Sequence, residues 1–266
     1  MLLLHTGGVM VNRYFLKLAY NGSAYCGWQV QPNAISVQQI IENGLAVIAG
    51  IKSGVTGCGR TDAGVHASQF YAHFDSEETY SYEYLSHLTY RLNGFLPKDI
   101  LIEEISSVVP EAHARFSAIW REYEYVIIRR KDPFRYDRAF LVPGDLDIEK
   151  MNACASLLLG RHDFESFCKV HTQVNNFFCD IQFVHWKANG HMLKFTIRAD
   201  RFLRNMVRAI VGTMLDVGKE KIALEDFQSI IDSHNRSAAG YSVPAHGLTL
   251  TGVGYPEEIF LEKGDG

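Results

Sequence analysis

The spacing of hydrophobic residues in the first 110 positions alternates between the two-residue period of strands and the wider period of helices. Residues 14–20 follow the strand period. Ser36 and Gln39 have the spacing of a capping box, and the apolar helical face behind them ends at Gly50. The predicted elements are a strand over 14–20, a helix over 37–49, a short strand at Val55, a strand over 69–74, a helix over 82–92 and a strand over 100–109.

The same order of elements recurs in the rest of the chain. Asn189-Gly190 separates two alternating runs, which is typical of a hairpin turn. The predicted elements are strands over 121–129, 181–186, 192–199 and 248–255, and helices over 148–159, 201–217 and 224–231.

Two successive β-α-β-β-α-β orders predict an α+β fold of two ferredoxin-like units in tandem. We expect the first unit over 12–112 and the second over 113–266, with the connection at 111–117. Residues 1–11 lack the basic start and long apolar stretch of a signal peptide. They are expected to form a disordered extension, with Met10 as an alternative start.

Composition narrows the class of protein. The 266 residues are 47% hydrophobic and 21% charged, which is ordinary for a soluble globular protein. No apolar run approaches the roughly 20 residues of a membrane span, so no membrane association is expected. The five cysteines form no CxxC pair, which indicates free thiols in a reducing cytoplasm. Because the net charge is −4, a nucleic-acid partner would need a local basic surface.

The most unusual segment is the glycine-rich loop over 57–66, Gly-Cys-Gly-Arg-Thr-Asp-Ala-Gly-Val-His. Its glycines allow a sharp turn and close approach to a ligand, and Arg60 and Asp62 lie within it. The glycine spacing does not match a dinucleotide-binding or phosphate-binding loop. The alternative interpretation is a tight turn in which Asp62 accepts hydrogen bonds from its own backbone.

Several motifs in order, spread over residues 14 to 255, resemble the tRNA pseudouridine synthases of the TruA type. These motifs are Tyr20-Asn21-Gly22, Gly27-Trp28-Gln29, Val37-Gln38, Gly59 to His66, Leu92-Asn93, Leu96-Pro97, Ala114 to Ala118, Arg121 to Tyr125, His162-Asp163-Phe164, Met206-Val207-Arg208 and Ala245 to Leu248. Two positions depart from the family pattern: Asn21 replaces the usual Asp, and an Arg common near Cys179 is missing.

The resemblance implies a pseudouridine synthase fold with a catalytic cleft between its two halves. It implies that the enzyme isomerises uridines 38 to 40 of the tRNA anticodon stem-loop, as a homodimer and without cofactor or metal. Asp62 would be the nucleophile, with Arg208 and Tyr123 as the other catalytic residues. The substrate-binding residues would be Arg60, Thr61, His66, Leu248 and Tyr123 itself.

Residue chemistry is compatible with these roles but leaves alternatives open. A guanidinium can hold a carboxylate by a two-pronged contact, and Arg208 would share one face of the helix over 201–217 with Arg201 and Arg204. That face could instead be a solvated basic stripe.

Tyr123 can stack on an extruded uracil and take part in proton transfer. Tyr125, two residues later on the same strand face, is interpreted as a core residue.

Other interpretations of the chain remain at this point. Four residues offer a loose zinc-ligand set that fits no common finger spacing: His162, Cys168, His171 and Cys179. A basic segment diluted by acidic residues, from Arg121 to Arg138, is compatible with a solvated edge. A non-catalytic RNA-binding module of duplicated recognition folds is the main alternative function. A hydrolase is a third, although the second carboxylate or metal site that it would need is not evident.

Overall fold

The computed structural model describes residues 11–170 and 174–262. The expected N-terminal extension, apart from Val11, lies outside the described residues, as does His171. The strands are β1 Asn12–Tyr20, β2 Thr56–Gly57, β3 His66–Ser76, β4 Ile100–Val108, β5 Trp120–Ile128, β6 Phe140–Leu141, β7 Gly160–Asp163, β8 Phe178–Asn189, β9 Met192–Ala199 and β10 Leu248–Gly254. The helices are α1 Val37–Ala49, α2 Tyr82–Phe95, α3 Ile148–Ser156, α4 Met206–Gly218 and α5 Leu224–Asp232.

One mixed sheet runs through the described chain, in the order β4-β1-β3-β10-β5-β9-β8-β7, with β2 beside β3 and β6 beside β5. The last strand, β10, lies in the middle of this sheet. It pairs in parallel with β3, where Thr249 faces His66, and antiparallel with β5, where Leu250 faces Tyr123. The C-terminal strand therefore connects the strands that precede residue 109 to those that follow residue 119.

Two hydrophobic clusters cover the sheet. One combines α1 and α2 with β1, β3 and β4, and the other combines α3, α4 and α5 with β5, β8 and β9. Strand β10 contributes to both, because Leu248 belongs to the second cluster and Leu250 to the first. Tyr123 packs against both clusters. The division of the chain at residues 112 and 113 remains a prediction.

The predicted helix over 37–49 has the ends that its sequence indicates. The Ser36 hydroxyl accepts a hydrogen bond from the backbone N–H of Gln39 at 3.3 Å. Gly50 ends the helix in the left-handed conformation, with φ of 71°. None of the helices in the described part of the chain has the length and hydropathy that a membrane crossing requires.

The predicted helix over 201–217 is wrong at its start. Helix α4 begins at Met206, because Asn205 is left-handed, with φ of 67°. Arg201 and Arg204 therefore lie in the preceding loop and share no helical face with Arg208. The helix predicted over 148–159 ends at Ser156, and the short, polar strand β7 that follows it has no alternating pattern by which it could be predicted.

Candidate active site

The glycine-rich loop joins β2 to β3 and lies against the loop that follows β1. Gly27 has φ of 97°, and a Cβ there would be 2.3 Å from the Thr61 carbonyl oxygen, so this approach requires glycine. The backbone N–H of Trp28 donates to that same oxygen at 3.3 Å. The Thr61 side chain points inward, and its hydroxyl is 2.9 Å from the Tyr20 hydroxyl. These contacts fix the backbone on the N-terminal side of Asp62.

The half-buried Asp62 carboxylate faces Arg208 in the first turn of α4. Arg208 Nη1 donates to Oδ2 of Asp62 at 3.2 Å, and Arg208 Nε donates to the carbonyl oxygen of Val243 at 2.7 Å. The predicted two-pronged contact is thus divided between a carboxylate and a backbone carbonyl. Among the described residues, Arg208 is the only hydrogen-bond donor to the Asp62 carboxylate. The alternative of a turn aspartate bonded to its own backbone does not describe this loop.

Tyr123 lies on β5, between β10 and β9, and its ring packs edge-on against Phe202 at 5.2 Å between centroids. Burial raises the pKa of the Tyr123 hydroxyl, and the nearby Cys58 and Asp62 raise it further. No hydrogen-bond partner of this hydroxyl occurs in the described chain. Tyr125 differs, since it is fully buried and donates to the Pro244 carbonyl oxygen at 2.8 Å. The core interpretation of Tyr125 is confirmed.

The structure places three further predicted residues around the loop in different settings. Arg60 is exposed and Leu248 is buried at the start of β10. The buried His66 ring accepts the N–H of Gly22 on Nδ1 at 3.0 Å, and its Nε2 lies 3.0 Å from the His246 carbonyl oxygen. Burial lowers the pKa of His66. A neutral ring with its proton on Nε2 satisfies both contacts.

Comparison with known proteins places the chain in a family. Residues 154–256 match the family model described as tRNA pseudouridine synthase. The tRNA pseudouridine synthase A of Parabacteroides distasonis is 49% identical to this chain, over 94% of this chain and 98% of the relative. The tRNA pseudouridine synthase A of Bacteroides fragilis is 46% identical, over 94% of this chain and 99% of the relative. The chain belongs to the tRNA pseudouridine synthase family. The resemblance read from the motifs and the α+β pseudouridine synthase fold are confirmed.

A more distant sequence relative and one solved structure are also similar to the chain. The tRNA pseudouridine synthase A of Bacillus licheniformis is 40% identical over 90% of this chain and 97% of the relative. A solved crystal structure of a Cbf5-Nop10-Gar1 complex gives a TM-score of 0.40 at 11% identity, over 91% of this chain and 50% of that chain. The family assignment rests on the sequence relatives.

Arg121 holds the glycine-rich loop in a way that sequence reasoning missed. Its Nη1 donates to the carbonyl oxygens of Ala118 and Asp200, each at 2.9 Å. Its Nη2 donates to the carbonyl oxygens of Cys58, at 3.2 Å, and Arg115. The guanidinium thereby ties the loop that carries Asp62 to residues 115–118, which precede β5, and to the residue that follows β9. All four acceptors are backbone groups, so no pattern of side chains predicts this role.

The two departures from the family pattern have structural settings. Asn21 accepts a hydrogen bond from the N–H of Ser23 at 3.0 Å, which an Asp would do equally. Near the buried Cys179, Arg161 and Arg201 line a cavity of about 380 Å³. Two guanidinium groups thus lie in the region where the family's usual Arg is missing.

The loose zinc-ligand set does not converge in the described chain. The His162 ring nitrogen Nε2 is 2.8 Å from the Leu159 carbonyl oxygen, and burial raises the pKa of the Cys179 thiol to about 12. Within the described residues, the group with metal-compatible spacing is instead Asp163, Glu165 and His234.

Proposed function

We propose that the chain isomerises uridine to pseudouridine in tRNA, with Asp62 as the nucleophile. The observation that carries this proposal is the Asp62–Arg208 contact on a glycine-rich loop whose backbone is held by Gly27 and Trp28. A non-catalytic RNA-binding surface would gain nothing from an oriented carboxylate facing phosphates. The names of the sequence relatives, tRNA pseudouridine synthase A, support the same activity and the same substrate class.

The reaction breaks the C1′–N1 glycosidic bond, turns the uracil and joins its C5 to C1′. The proton lost from C5 is balanced by one gained at N1, so the isomerisation needs no oxidant, metal or cofactor. Asp62 supplies the carboxylate for covalent catalysis, and the single contact from Arg208 fixes its direction. The second Arg208 contact, to Val243, fixes the guanidinium in turn.

Tyr123 and Leu248 form the apolar part of the proposed uracil pocket. Because its pKa is raised, the Tyr123 hydroxyl is protonated at neutral pH. The hydroxyl donates a hydrogen bond to the base and takes part in proton transfer to or from it. Leu248 closes the pocket at the start of β10.

The other predicted substrate-binding residues take different positions in this proposal. The exposed Arg60 occupies the space that the extruded uridine vacates and contacts a phosphate or a stacked base. Thr61 and His66 act on the substrate through the loop, since their polar groups bind Tyr20 and backbone groups of three other segments.

The resemblance supports three finer points of the proposal: the target uridines are those at positions 38 to 40 of the anticodon stem-loop, the enzyme is a homodimer, and it works in the cytoplasm. The substrate extrudes its uridine at a cost of a few kcal/mol, which contacts with the rest of the stem-loop offset.

The test is incubation with unmodified tRNA transcripts, followed by chemical labelling that maps pseudouridine by position. We expect product at one or more of positions 38 to 40. A matched transcript with cytidine at those three positions serves as the control and should yield none there. Failure of the unmutated protein to form pseudouridine in any of several tRNAs would contradict the proposal and favour the binding-module alternative.

A further inference from the structure

Two exposed side chains project from the connection between the two parts of the sheet, beside the catalytic loop. Phe116 is 75% exposed, and the Arg115 guanidinium carbon lies 5.4 Å from the centre of its ring. The exposed ring offers an aromatic surface on which a planar ligand group can stack.

The backbone beneath these two side chains is held from several directions. His113 Nδ1 accepts the N–H groups of Arg115 at 3.1 Å and Phe116 at 3.3 Å. The N–H of Ala114 donates to His73 Nδ1 at 3.1 Å, and the Ala114 carbonyl oxygen accepts from the Tyr255 hydroxyl at 2.5 Å. The ring of Phe116 thus lies on a fixed turn. A ligand that stacks on it needs to order little of the protein.

Four arginines gather around the turn: Arg60, Arg115, Arg121 and Arg201. Burial lowers the pKa of Arg115, and the other three lower it further. In the described chain, none of the four lies within ion-pair distance of a carboxylate, although Glu122 and Glu124 nearby are paired with Arg198 and Lys194. A concentration of unneutralised guanidinium groups in a protein of net charge −4 favours a polyanionic ligand.

The location connects this surface to the reaction centre. Arg121 donates both to the Arg115 carbonyl oxygen and to the Cys58 carbonyl oxygen, and Cys58 precedes Asp62 by four residues. A nucleic acid with its target base at Asp62 would therefore extend across this surface. When a uridine is extruded, each neighbouring base loses a stacking partner and exposes one face.

We propose that the Arg115–Phe116 turn is an RNA-binding subsite, in which Phe116 stacks on an unpaired base that neighbours the extruded uridine. Arg60, Arg115 and Arg201 bind the phosphates on either side of that base. Aromatic stacking accepts any base, so this subsite contributes affinity for the opened loop rather than sequence preference. The proposal rests on the proposed function, because it takes tRNA as the substrate.

The first experiment measures tRNA binding and turnover for Phe116→Ala, Phe116→Tyr and Tyr90→Ala. Loss of one base stack should weaken binding of an unmodified tRNA transcript about 5- to 100-fold. Phe116→Tyr keeps the ring and should bind within about threefold of the parent. Tyr90, 78% exposed on α2, is the matched exposed aromatic, and its removal should change nothing. Because Phe116 is exposed, the melting temperature of Phe116→Ala should equal that of the parent.

The second experiment measures the salt dependence of binding for Arg115→Ala and for Arg91→Ala, an exposed arginine on α2. Arg115→Ala should lower the slope of log affinity against log salt by about 1, and Arg91→Ala should leave it unchanged.

The outcomes separate this subsite from the activity itself. If the parent protein forms pseudouridine but Phe116→Ala binds tRNA as tightly as Tyr90→Ala, the subsite is wrong and the activity stands. If Phe116→Ala changes the sedimentation of the protein while its tRNA affinity is kept, the turn is a protein–protein contact and the subsite is wrong again. If the parent forms no pseudouridine, the proposed function itself fails.

Discussion

Arg208 holds Asp62 with one nitrogen only, Nη1 at 3.2 Å from Oδ2, and donates its Nε–H to the Val243 carbonyl oxygen at 2.7 Å. The backbone N–H of Val243 donates in return to the Arg208 carbonyl oxygen at 3.2 Å. The guanidinium is therefore fixed to the segment that leads into β10. The direction of the carboxylate depends on three separate pieces of chain: the glycine-rich loop, α4 and the approach to β10.

Arg208→Lys should reduce kcat far more than it weakens tRNA binding. A single ammonium keeps the charge but cannot bind the Asp62 carboxylate and the Val243 carbonyl in the fixed directions of a planar guanidinium. Misplacement of a reacting group by about 1 Å costs on the order of 100-fold in rate, and we expect a loss of that size in kcat with KM within about threefold. Single-turnover and steady-state kinetics with tRNA measure both.

Arg198→Lys is the matched control, because Arg198 pairs with Glu122 across the sheet and does not touch the loop. Its kinetics should follow those of the parent. Parent-like turnover by Arg208→Lys would show that the contact with Asp62 is incidental.

The periodicity of the sequence was sufficient for most elements because their apolar faces are local properties. The helix over 37–49 and the strand over 192–199 lie where the pattern predicts them. The insertion of β10 between β3 and β5 had no such signal, since pairing partners distant in sequence leave no local pattern. The start of α4 was misjudged because Phe202 and Leu203 continue the helical spacing, while the left-handed Asn205 that stops it is compatible with several conformations.

The same distinction between local patterns and distant contacts applies to the residues of the candidate site. Asp62, Tyr123 and Arg208 were found through motifs, and the structure brings Asp62 and Arg208 into contact. Arg121 was interpreted only as an additional charge, because its four acceptors are carbonyl oxygens that any residue supplies. Contacts between a side chain and a distant backbone become visible only in three dimensions.

Arg121→Gln should lower both stability and kcat. It removes the charged donor from four carbonyl oxygens in three segments of the chain. Each hydrogen bond from a charged group stabilises a fold by about 1.5–3 kcal/mol. We expect a loss of about 2–4 kcal/mol in the free energy of unfolding, with several of these bonds replaced by water. Urea unfolding gives the stability, and kcat at saturating tRNA gives the effect on the loop.

Arg121→Lys distinguishes positioning from charge. It should keep the tRNA affinity of the parent, which depends on charge, but not the parent's kcat, which depends on the contact with the Cys58 carbonyl oxygen. If Arg121→Lys restores kcat as well, the positioning role is wrong.

The stability of the protein should fall as the pH is lowered from about 6.5 to about 4, in part through His73. Burial lowers the pKa of His73 to about 4 from the ordinary value of 6.5, and Arg13 and His113 add to the effect, against Asp75. The unfolded chain therefore takes up this proton at a higher pH than the folded chain does. Acid consequently stabilises the unfolded state within this window.

His73→Asn should flatten that part of the stability profile. The amide oxygen can replace Nδ1 as acceptor for the N–H of Ala114, and it does not titrate. Thermal unfolding at a series of pH values measures the profile. His185→Asn, at an exposed histidine, is the control and should keep the slope of the parent. An unchanged slope in His73→Asn would contradict the assignment.

Asp62→Asn is the substitution that decides the mechanism. The amide has the size and shape of the carboxylate, so the turn, which the Thr61 and Gly27 contacts fix, should survive with an unchanged melting temperature. Loss of a negative charge beside the phosphates should leave tRNA affinity equal or slightly higher. Pseudouridine formation should disappear, because an amide is a poor nucleophile at neutral pH. Filter binding and chemical labelling on one preparation provide the two measurements.

Asp99→Asn is the matched control, because Asp99 accepts a hydrogen bond from the Tyr25 hydroxyl at 2.6 Å near the same loops and has no part in the proposed chemistry. It should keep turnover within about an order of magnitude, since the amide oxygen can still accept that bond. Deamidation of the asparagine introduced by Asp62→Asn would regenerate the carboxylate, so the mass of the intact protein is checked before and after the reaction. Clear product from Asp62→Asn of confirmed mass would show that the carboxylate is not the nucleophile. The contact with Arg208 would then have to be explained as structural.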